Sequence, residues 1–279
     1  MSVAPVEMTA EEHLLLNEVI ERQFGLSFGE GKRQFLESRL RPRLQALHLR
    51  RFIDYYLHLQ YDLETEVDHL ARLITNNESY FFRETYQFEG LFQEGLPRMK
   101  EGRWTGSRIR FLCAGCSSGE EPYTLNIWAR RHADDEPGVS TIDAFDIDQD
   151  RLRTARAGIY GSSSLRTLEE DERGIYFEAQ EGERYRLRDE FRENVGFFPG
   201  NILDSSTYEA RGPYDVVFCR NVLIYFSEEA FQRAVDNFAS VLRPGGLLFL
   251  GHSESLIGRS TRFETVRLER CIAYRKGSD

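Results

Sequence analysis

The sequence predicts an all-α N-terminal domain followed by an α/β domain with a doubly wound parallel sheet. Two observations carry this. Residues 10–75 hold apolar side chains at helical spacing and no strand signal. From residue 108 onward, short apolar runs alternate with amphipathic stretches, as strands alternate with crossover helices.

Leu15, Val19 and Ile20 mark a first helix, and Leu36, Leu40, Leu44 and Leu47 a second. Pro42 has no amide hydrogen, so the second helix is expected to kink or restart there. FIDYYLHL and VDHLARLI predict a third and a fourth helix. The helical domain is drawn over 1–75 and a linker over 76–107. IRFLCAG then predicts a buried strand, EPYTLNIWARRHA a helix, STIDAFDID a strand ending in acids, and QDRLRTARAGIY a helix. A charged insertion over about 165–195 sets YFEAQ and RYRLR around EGE, the pattern of a small hairpin. VGFFPGNIL, YDVVFCRNVLIYF and GGLLFLGHSES supply further strands. SEEAFQRAVDNFASVLRPGG reads as a helix with Ser227 at its N-cap and, after Pro244, Gly245 past its end.

The chain has 279 residues, 41% of them hydrophobic, and a formal net charge of -10. Such a chain supports a substantial core and disfavours nucleic acid as the main partner, because that partner needs a basic face. No apolar run reaches the ~18 residues of a membrane span. The acidic start MSVAPVEMTAEEH lacks a basic-then-apolar signal, so a cytoplasmic protein is expected. Cys113 and Cys116 form a C-x-x-C, while Cys219 and Cys271 stand alone. A zinc site wants a second pair, and a redox dithiol wants to open a helix, whereas Cys113 closes a strand. The thiols read as structural, with redox or metal chemistry as the rival, and no metal is expected.

LCAGCSSGEEPYTL runs from a strand through a small-residue turn into a helix, the junction at which α/β proteins bind nucleotides. The dinucleotide fingerprint and the phosphate-loop Lys-Ser/Thr pair are both absent; the turn has only Gly115 and Gly119. Glu120 and Glu121 suit the dipole of a helix start but repel a phosphate. A cationic ligand without phosphate fits better, and S-adenosylmethionine, with its sulfonium, ammonium and ribose, is such a ligand. The bland alternative is two acids that only stabilise the helix. Asp146 ends the second strand, where an acid hydrogen-bonds ribose hydroxyls, and Asp148 follows two residues on. Asn201 follows another strand and is placed to meet an adenine edge. Arg220 and Asn221 stand at the carboxyl end of a further one. Gly115, Glu121, Asp146, Asn201 and Asn221 are thus expected in one crevice.

ITNNESYFFRE, CAGCSSGEEPY, DIDQDRLRTARAGIY, NILD, FCRNVLIYF and LRPGGLLFLGHSES, in this order over nearly the whole chain, resemble the chemotaxis receptor methyltransferase (CheR) family. Generic methyltransferases share the loop and the acid but not N-x-S-x-FFR, GEEPY and CRNVLIYF together. The resemblance implies a protein-glutamate O-methyltransferase. It would move a methyl from S-adenosylmethionine to glutamates on the cytoplasmic helical bundle of chemoreceptors, leaving S-adenosylhomocysteine. It implies a Rossmann-like methyltransferase domain over 108–279, with a small β-subdomain at the insertion. By position it implies Asn77, Ser79 and Arg83 facing the cofactor from the linker. It implies Glu121 and Asp146 at the cofactor's ammonium end and ribose, with Glu120 the one-residue alternative to Glu121. Asn201 with Ile202 would meet the adenine, and Arg220 with Asn221 would complete the pocket. Arg83 and Tyr225 are implied nearest the transferred methyl. Some members read a receptor's C-terminal pentapeptide through the β-subdomain loop. Here the loop around AQEGER is short and lacks a glycine-rich insertion, which leaves that docking open.

A glutamate acceptor, with a reference pKa of about 4.3, is ionised at neutral pH and needs no general base. The six histidines are scattered accordingly, and His252 in GHSES reads as structural. What remains is to align carboxylate oxygen, methyl and sulfur and to strip water from the anion. Arg83 is a candidate to orient the acceptor, its rival role a domain-linking salt bridge. Tyr225 is a candidate hydrogen-bond donor or channel wall, its rival role simple packing.

Residues 32–51 carry seven Lys and Arg against one acid, Glu37. On a continuous helix Lys32, Arg39, Arg43 and Arg50 form one stripe, expected to dock on an acidic receptor bundle; the alternatives are a solvated face and, disfavoured by overall charge, nucleic acid. A monomer is expected, peripheral to the membrane only through receptors, with a regulatory protein as a further partner. The rival functions are methyl transfer to another protein or a small molecule, and a non-catalytic module that binds cofactor and docks.

Overall fold

The computed structural model describes residues 7–101, 108–132 and 139–277. The chain start MSVAPV and the linker's 102–107 lie outside them. The chain forms two units: one runs to Asn76 and takes in Tyr225–Phe231, and the other comprises Asn77–Ile224 and the residues from Gln232 onward.

The first unit is helical: α1 (Ala10–Phe24), α2 (Arg33–Ala46) and α3 (Phe52–Ile74). Thr9 and Glu12 form a capping box at the start of α1, and Gly25 ends it at φ 74. Leu16, Val19 and Ile20 of α1, Leu36, Leu40 and Leu44 of α2 and Tyr55, Leu59 and Leu70 of α3 are buried, and the three helices pack on one another. Leu16, rather than Leu15, is the buried member of the first run. One expectation is corrected. α2 runs through Pro42, which is exposed, so its missing N–H and ring burden only the solvent side. FIDYYLHL and VDHLARLI form the two expected helical segments, joined without a loop as α3 and divided by a kink at the non-helical Asp62 (φ -137, ψ 37). Across the bend, Glu66 is 2% exposed and accepts from Arg43 Nε at 3.0 Å and the Tyr55 hydroxyl at 3.2 Å. The segment 225–231 joins this unit through backbone bonds from Ser27 N to Tyr225 O and from Ser227 N to Gly25 O, both 2.9 Å.

In the second unit α4 (Thr85–Gly90), a π-helical turn at Leu91–Gly95 and α5 (Leu96–Glu101) precede β1 (Ile109–Ala114). There follow α6 (Glu120–Arg131), β2 (Val139–Asp146), α7 (Gln149–Ala157), β3 (Ile159–Gly161), α8 (Glu170–Tyr176), β4 (Phe177–Gln180), β5 (Arg184–Leu187) and β6 (Val195–Pro199). Then come α9 (Ser206–Glu209), β7 (Tyr214–Cys219), α10 (Glu228–Val241), β8 (Leu242–Leu250), β9 (Phe263–Arg267) and β10 (Ile272–Lys276). The main sheet runs β6-β2-β1-β7-β8-β10-β9. Its first five strands are parallel, while β10 pairs antiparallel with β8 and β9 with β10. The expected parallel sheet is therefore mixed at one edge. β1 sits between β2 and β7, where the strand order reverses, and ligands of open α/β sheets bind at such a point. Phe111, Phe218 and Phe249 fill the centre, and the rings of Phe218 and Phe249 stack at 4.9 Å.

β4 and β5 form a hairpin around Glu181–Glu183, and β3 pairs with β5 to make a three-stranded sheet. β3 lies where a helix end was expected. α7 stops at Gly158 (φ 65), where an added Cβ would stand 3.0 Å from Arg192 Nε, and Ile159 starts a strand instead. Ser227 caps α10, its hydroxyl accepting from Ala230 N at 3.3 Å. Gly245 does not end that helix. Leu242 already pairs with Tyr214, and the register then shifts before Val216 pairs with Leu247, so Gly245 (φ 79) lies within the shift.

Candidate active site

The turn after β1 is pinned to the end of β2: Gly115 N and Cys116 N both donate to Phe145 O, at 2.9 and 3.0 Å. Gly115 has φ 73, and a Cβ there would stand 2.8 Å from a methyl of Val222. Asp146 accepts from Ser117 N at 2.7 Å and Asp148 N at 2.8 Å. It is 6% exposed, and burial pushes its carboxyl up to about 6 against the pull of those amides. Asn77 joins from the preceding segment, donating Nδ2 to Asp148 at 2.9 Å while its carbonyl accepts from the Ser117 hydroxyl at 3.2 Å. Gly115, Asp146 and Asn77 are thus brought together.

Glu120 and Glu121 diverge. Glu120 is buried and accepts from the hydroxyls of Ser118 at 3.0 Å and Ser164 at 2.9 Å. Glu121 accepts from Arg220 Nε at 2.6 Å. Arg220 is nearly sealed, its side chain 2% exposed, with its guanidinium 4.8 Å from the centre of the Phe88 ring. Its NH1 donates to Arg83 O at 3.0 Å and lies 3.8 Å from Glu84 Oε2. Sequence reading missed Glu84. It has φ 54 and accepts from Asn221 Nδ2 at 3.2 Å, with His252 Nδ1 3.1 Å from the same carboxylate. Burial would raise its carboxyl, but Arg220, His252 and Asn221 outweigh burial and hold it below its ordinary value. His252 is thereby placed at the edge of this network, mostly exposed.

Asn221 also stands at positive φ, 60, a conformation asparagine tolerates. Its backbone N–H, with those of Val222, Ile224 and Gly251, points at the carboxylate of Glu254, a second residue that sequence reading passed over. Burial raises that carboxyl while the amides pull it back. The GHSES motif carried a usable signal: an acid just past a strand's carboxyl end, the rule that found Asp146. Asn201 Oδ1 accepts from Leu203 N at 2.9 Å, which shapes the turn after β6. Ile202 is buried, its carbonyl held by Tyr208 and Asn237 at 3.0 Å each.

Arg83 donates NH1 to Glu78 O at 3.0 Å, with its guanidinium 5.5 Å from the centre of the Tyr80 ring. Ser79 is half-buried beside it in sequence. Tyr225 belongs to the first unit, where its hydroxyl accepts from Asn76 Nδ2 at 2.7 Å. The basic stripe is corrected. α2 ends at Ala46, Lys32 precedes it and Arg50 follows it, so the four do not share one helix. Arg43 turns inward to Glu66, while Arg39 lies over the Phe35 ring at 4.9 Å. Cys113, Cys116 and Cys219 are fully buried free thiols, raised well above the ordinary range by desolvation, unlike a reactive thiolate. Among the described residues no cluster of three or more His, Cys, Asp or Glu has the geometry for a metal ion. No helix among them is long and apolar enough to cross a membrane.

The donor set fits S-adenosylmethionine. Gly115 leaves bare backbone at the sheet's reversal point, Asp146 offers a buried acceptor, and two carboxylates around one guanidinium leave an excess negative charge for a cation. The comparisons with known proteins agree. Residues 77–272 match the model described as CheR methyltransferase, SAM binding domain, and residues 12–75 that of the CheR methyltransferase, all-alpha domain. The chain is 35% identical over 257 residues to chemotaxis protein methyltransferase 2 of Vibrio cholerae, covering 90% of this chain and 88% of that one. It is 34% identical over 275 residues to a chemotaxis protein methyltransferase of Vibrio parahaemolyticus, covering 97% and 98%. The Escherichia coli protein of that name is 33% identical over 265 residues, covering 94% and 90%.

Proposed function

The chain belongs to the CheR methyltransferase family and is an S-adenosylmethionine-dependent protein methyltransferase of chemotaxis; from that premise we propose that it esterifies glutamate side chains on chemoreceptor cytoplasmic helices. The observation that carries the reading is the Glu121–Arg220–Glu84 network beside Asp146, at the carboxyl ends of the parallel strands.

When bound, S-adenosylmethionine supplies an electrophilic methyl on a sulfonium. Glu121 would accept from the cofactor's ammonium and Asp146 from its ribose hydroxyls. Asn201 and Ile202 would border the adenine, and Asn77, Ser79 and Asn221 would line the remainder. Arg220 keeps Glu121 in place rather than meeting the reacting atoms, since its guanidinium is already committed. Arg83, more exposed than Arg220, orients the incoming glutamate carboxylate. A tight ion pair there would blunt the nucleophile, so its contribution is alignment. Tyr225 is assigned to the methyl channel by the motif FCRNVLIYF; its hydroxyl accepts from Asn76 and keeps its own proton for donation. No general base is needed for an ionised carboxylate. The protein acts in the cytoplasm as a monomer, and Lys32, Arg39 and Arg50 guide it to the acidic receptor bundle.

The test is to mix the protein with methyl-labelled S-adenosylmethionine and receptor cytoplasmic fragments from the same source. Label that enters the receptor and leaves as methanol in mild base establishes a carboxyl methyl ester. Base-stable label refutes glutamate esterification. Tight S-adenosylhomocysteine binding with no transfer to any receptor fragment refutes the acceptor.

A further inference from the structure

Glu254 stands just past β8, is 7% exposed, and commits both carboxylate oxygens to backbone. Oε2 accepts from Gly251 N at 2.6 Å and Asn221 N at 2.9 Å. Oε1 accepts from Val222 N at 2.9 Å and Ile224 N at 3.1 Å. Three of these donors lie on the loop that leaves β7, in a stretch with no strand partner for them, and buried amides left orphaned are costly. The loop's path is therefore set by a side chain from the segment that follows the next strand.

The consequences fall at the pocket. Asn221 is held at φ 60, which turns its side-chain amide onto Glu84. Val222 is held against Gly115, with a methyl 2.8 Å from where a Cβ would stand. Gly251 closes the cradle from the far side. A Cβ there would stand 2.7 Å from Asn221 Nδ2 and 2.9 Å from Glu254 Oε2.

We infer that Glu254 is a positioning residue for the cofactor pocket: its carboxylate fixes the Asn221–Ile224 loop so that Asn221 and Val222 meet the Gly115 turn in the geometry that admits the S-adenosyl group. This rests on the reading that Glu121, Asp146 and Asn221 border that pocket. Glu254 itself touches no reacting atom. The four converging amides ask for an acceptor at both ends of the side chain. Glutamine turns an N–H₂ toward one pair of donors, and aspartate is a methylene too short to reach both pairs.

The experiment measures S-adenosylhomocysteine affinity by calorimetry on the full chain, with thermal melts alongside. The variants are Glu254→Gln, Glu254→Asp and Gly251→Ala. Glu121→Gln and Asp215→Asn are comparators. Asp215 is a buried carboxylate near the opposite end of β7, bonded to Arg110 N at 2.9 Å and Arg243 NH1 at 2.7 Å. Glu254→Gln and Gly251→Ala are expected to weaken binding about tenfold or more, and Glu254→Asp by less. Asp215→Asn is expected to lower the melting temperature and keep wild-type affinity. The inference is overturned if Glu254→Gln melts lower yet binds within about twofold of wild type. It is equally overturned if Asp215→Asn loses as much affinity. If Glu121→Gln alone loses affinity, the pocket reading stands and this inference falls; if Glu121→Gln also binds normally, both fall. Should Glu254→Gln fail to fold, Gly251→Ala and amide exchange in the wild type decide. Slow exchange at Asn221, Val222 and Ile224, slower still with S-adenosylhomocysteine, is the expected result, and unprotected amides refute the cradle.

Discussion

Arg220 donates its Nε to Glu121 across 2.6 Å, and it does so with a side chain only 2% exposed. A buried guanidinium in that position leans on its acid: remove the acid and the cation is left between the Phe88 and Phe218 rings with only the Arg83 carbonyl and the more distant Glu84. Glu121→Gln should therefore cost about 1–3 kcal/mol of stability and at least about tenfold in S-adenosylhomocysteine affinity. Glu120→Gln, which disturbs only the bonds from Ser118 and Ser164, should lower the melting temperature while affinity stays within about threefold. Calorimetry and thermal melts on the two variants read the contrast, and equal losses of affinity would refute it.

Asp146 predicts opposite pH trends for folding and binding. Its folded-state value of about 6 lies above the ordinary 3.8. Its contribution to folding is thus complete below about 3.8 and gone once pH has risen through about 6. On the proposed function, the ionised form is the one that would accept ribose hydroxyls. Affinity for S-adenosylhomocysteine should fall as pH drops through about 6, and Asp146→Asn should flatten that fall. Titration calorimetry between about pH 5 and 8 checks both.

Arg43 should behave unlike its basic neighbours. Arg43→Ala leaves Glu66 buried without its main partner, at a cost of about 3 kcal/mol in urea unfolding. Lys32→Glu, Arg39→Glu and Arg50→Glu should leave the unfolding midpoint unchanged. They should slow receptor methylation several-fold at low salt, an effect that fades as salt screens it. Unchanged initial rates at low salt would remove this face from docking.

Arg83→Ala and Tyr225→Phe separate acceptor from cofactor. If the two residues serve the acceptor, kcat falls by about tenfold or more while the Kd for S-adenosylhomocysteine moves less than about threefold. Parallel losses in both would make them cofactor residues alone.

Much of this was legible in the sequence because it rests on local signals. Apolar runs alternating with helical stretches gave the five parallel strands, and a turn glycine, an acid at a helix start, an acid at a strand end and an asparagine past one marked Gly115, Glu121, Asp146 and Asn221 as candidates. What escaped has non-local causes. Arg43 meets an acid 23 residues away, beyond any helical spacing, so a surface stripe and a buried ion pair look alike in sequence. Glu254 binds backbone amides, which have no letter of their own. β3 is three residues long and begins directly after a helix-ending glycine. Pro42 misled because the cost of proline depends on which face it occupies.

The antiparallel hairpin of β9 and β10 has a consequence for how the molecule keeps to itself. β10 lies along β8, and Ala273 and Tyr274 are buried there. Without this hairpin, β8 would present a long apolar strand with a bare row of amides and carbonyls, a template for another chain. The outermost strand, β9, instead shows Glu264 and Arg267 on exposed positions. A chain cut before Phe263 would thus be expected to lose solubility through strand-to-strand self-association, even with every pocket residue intact.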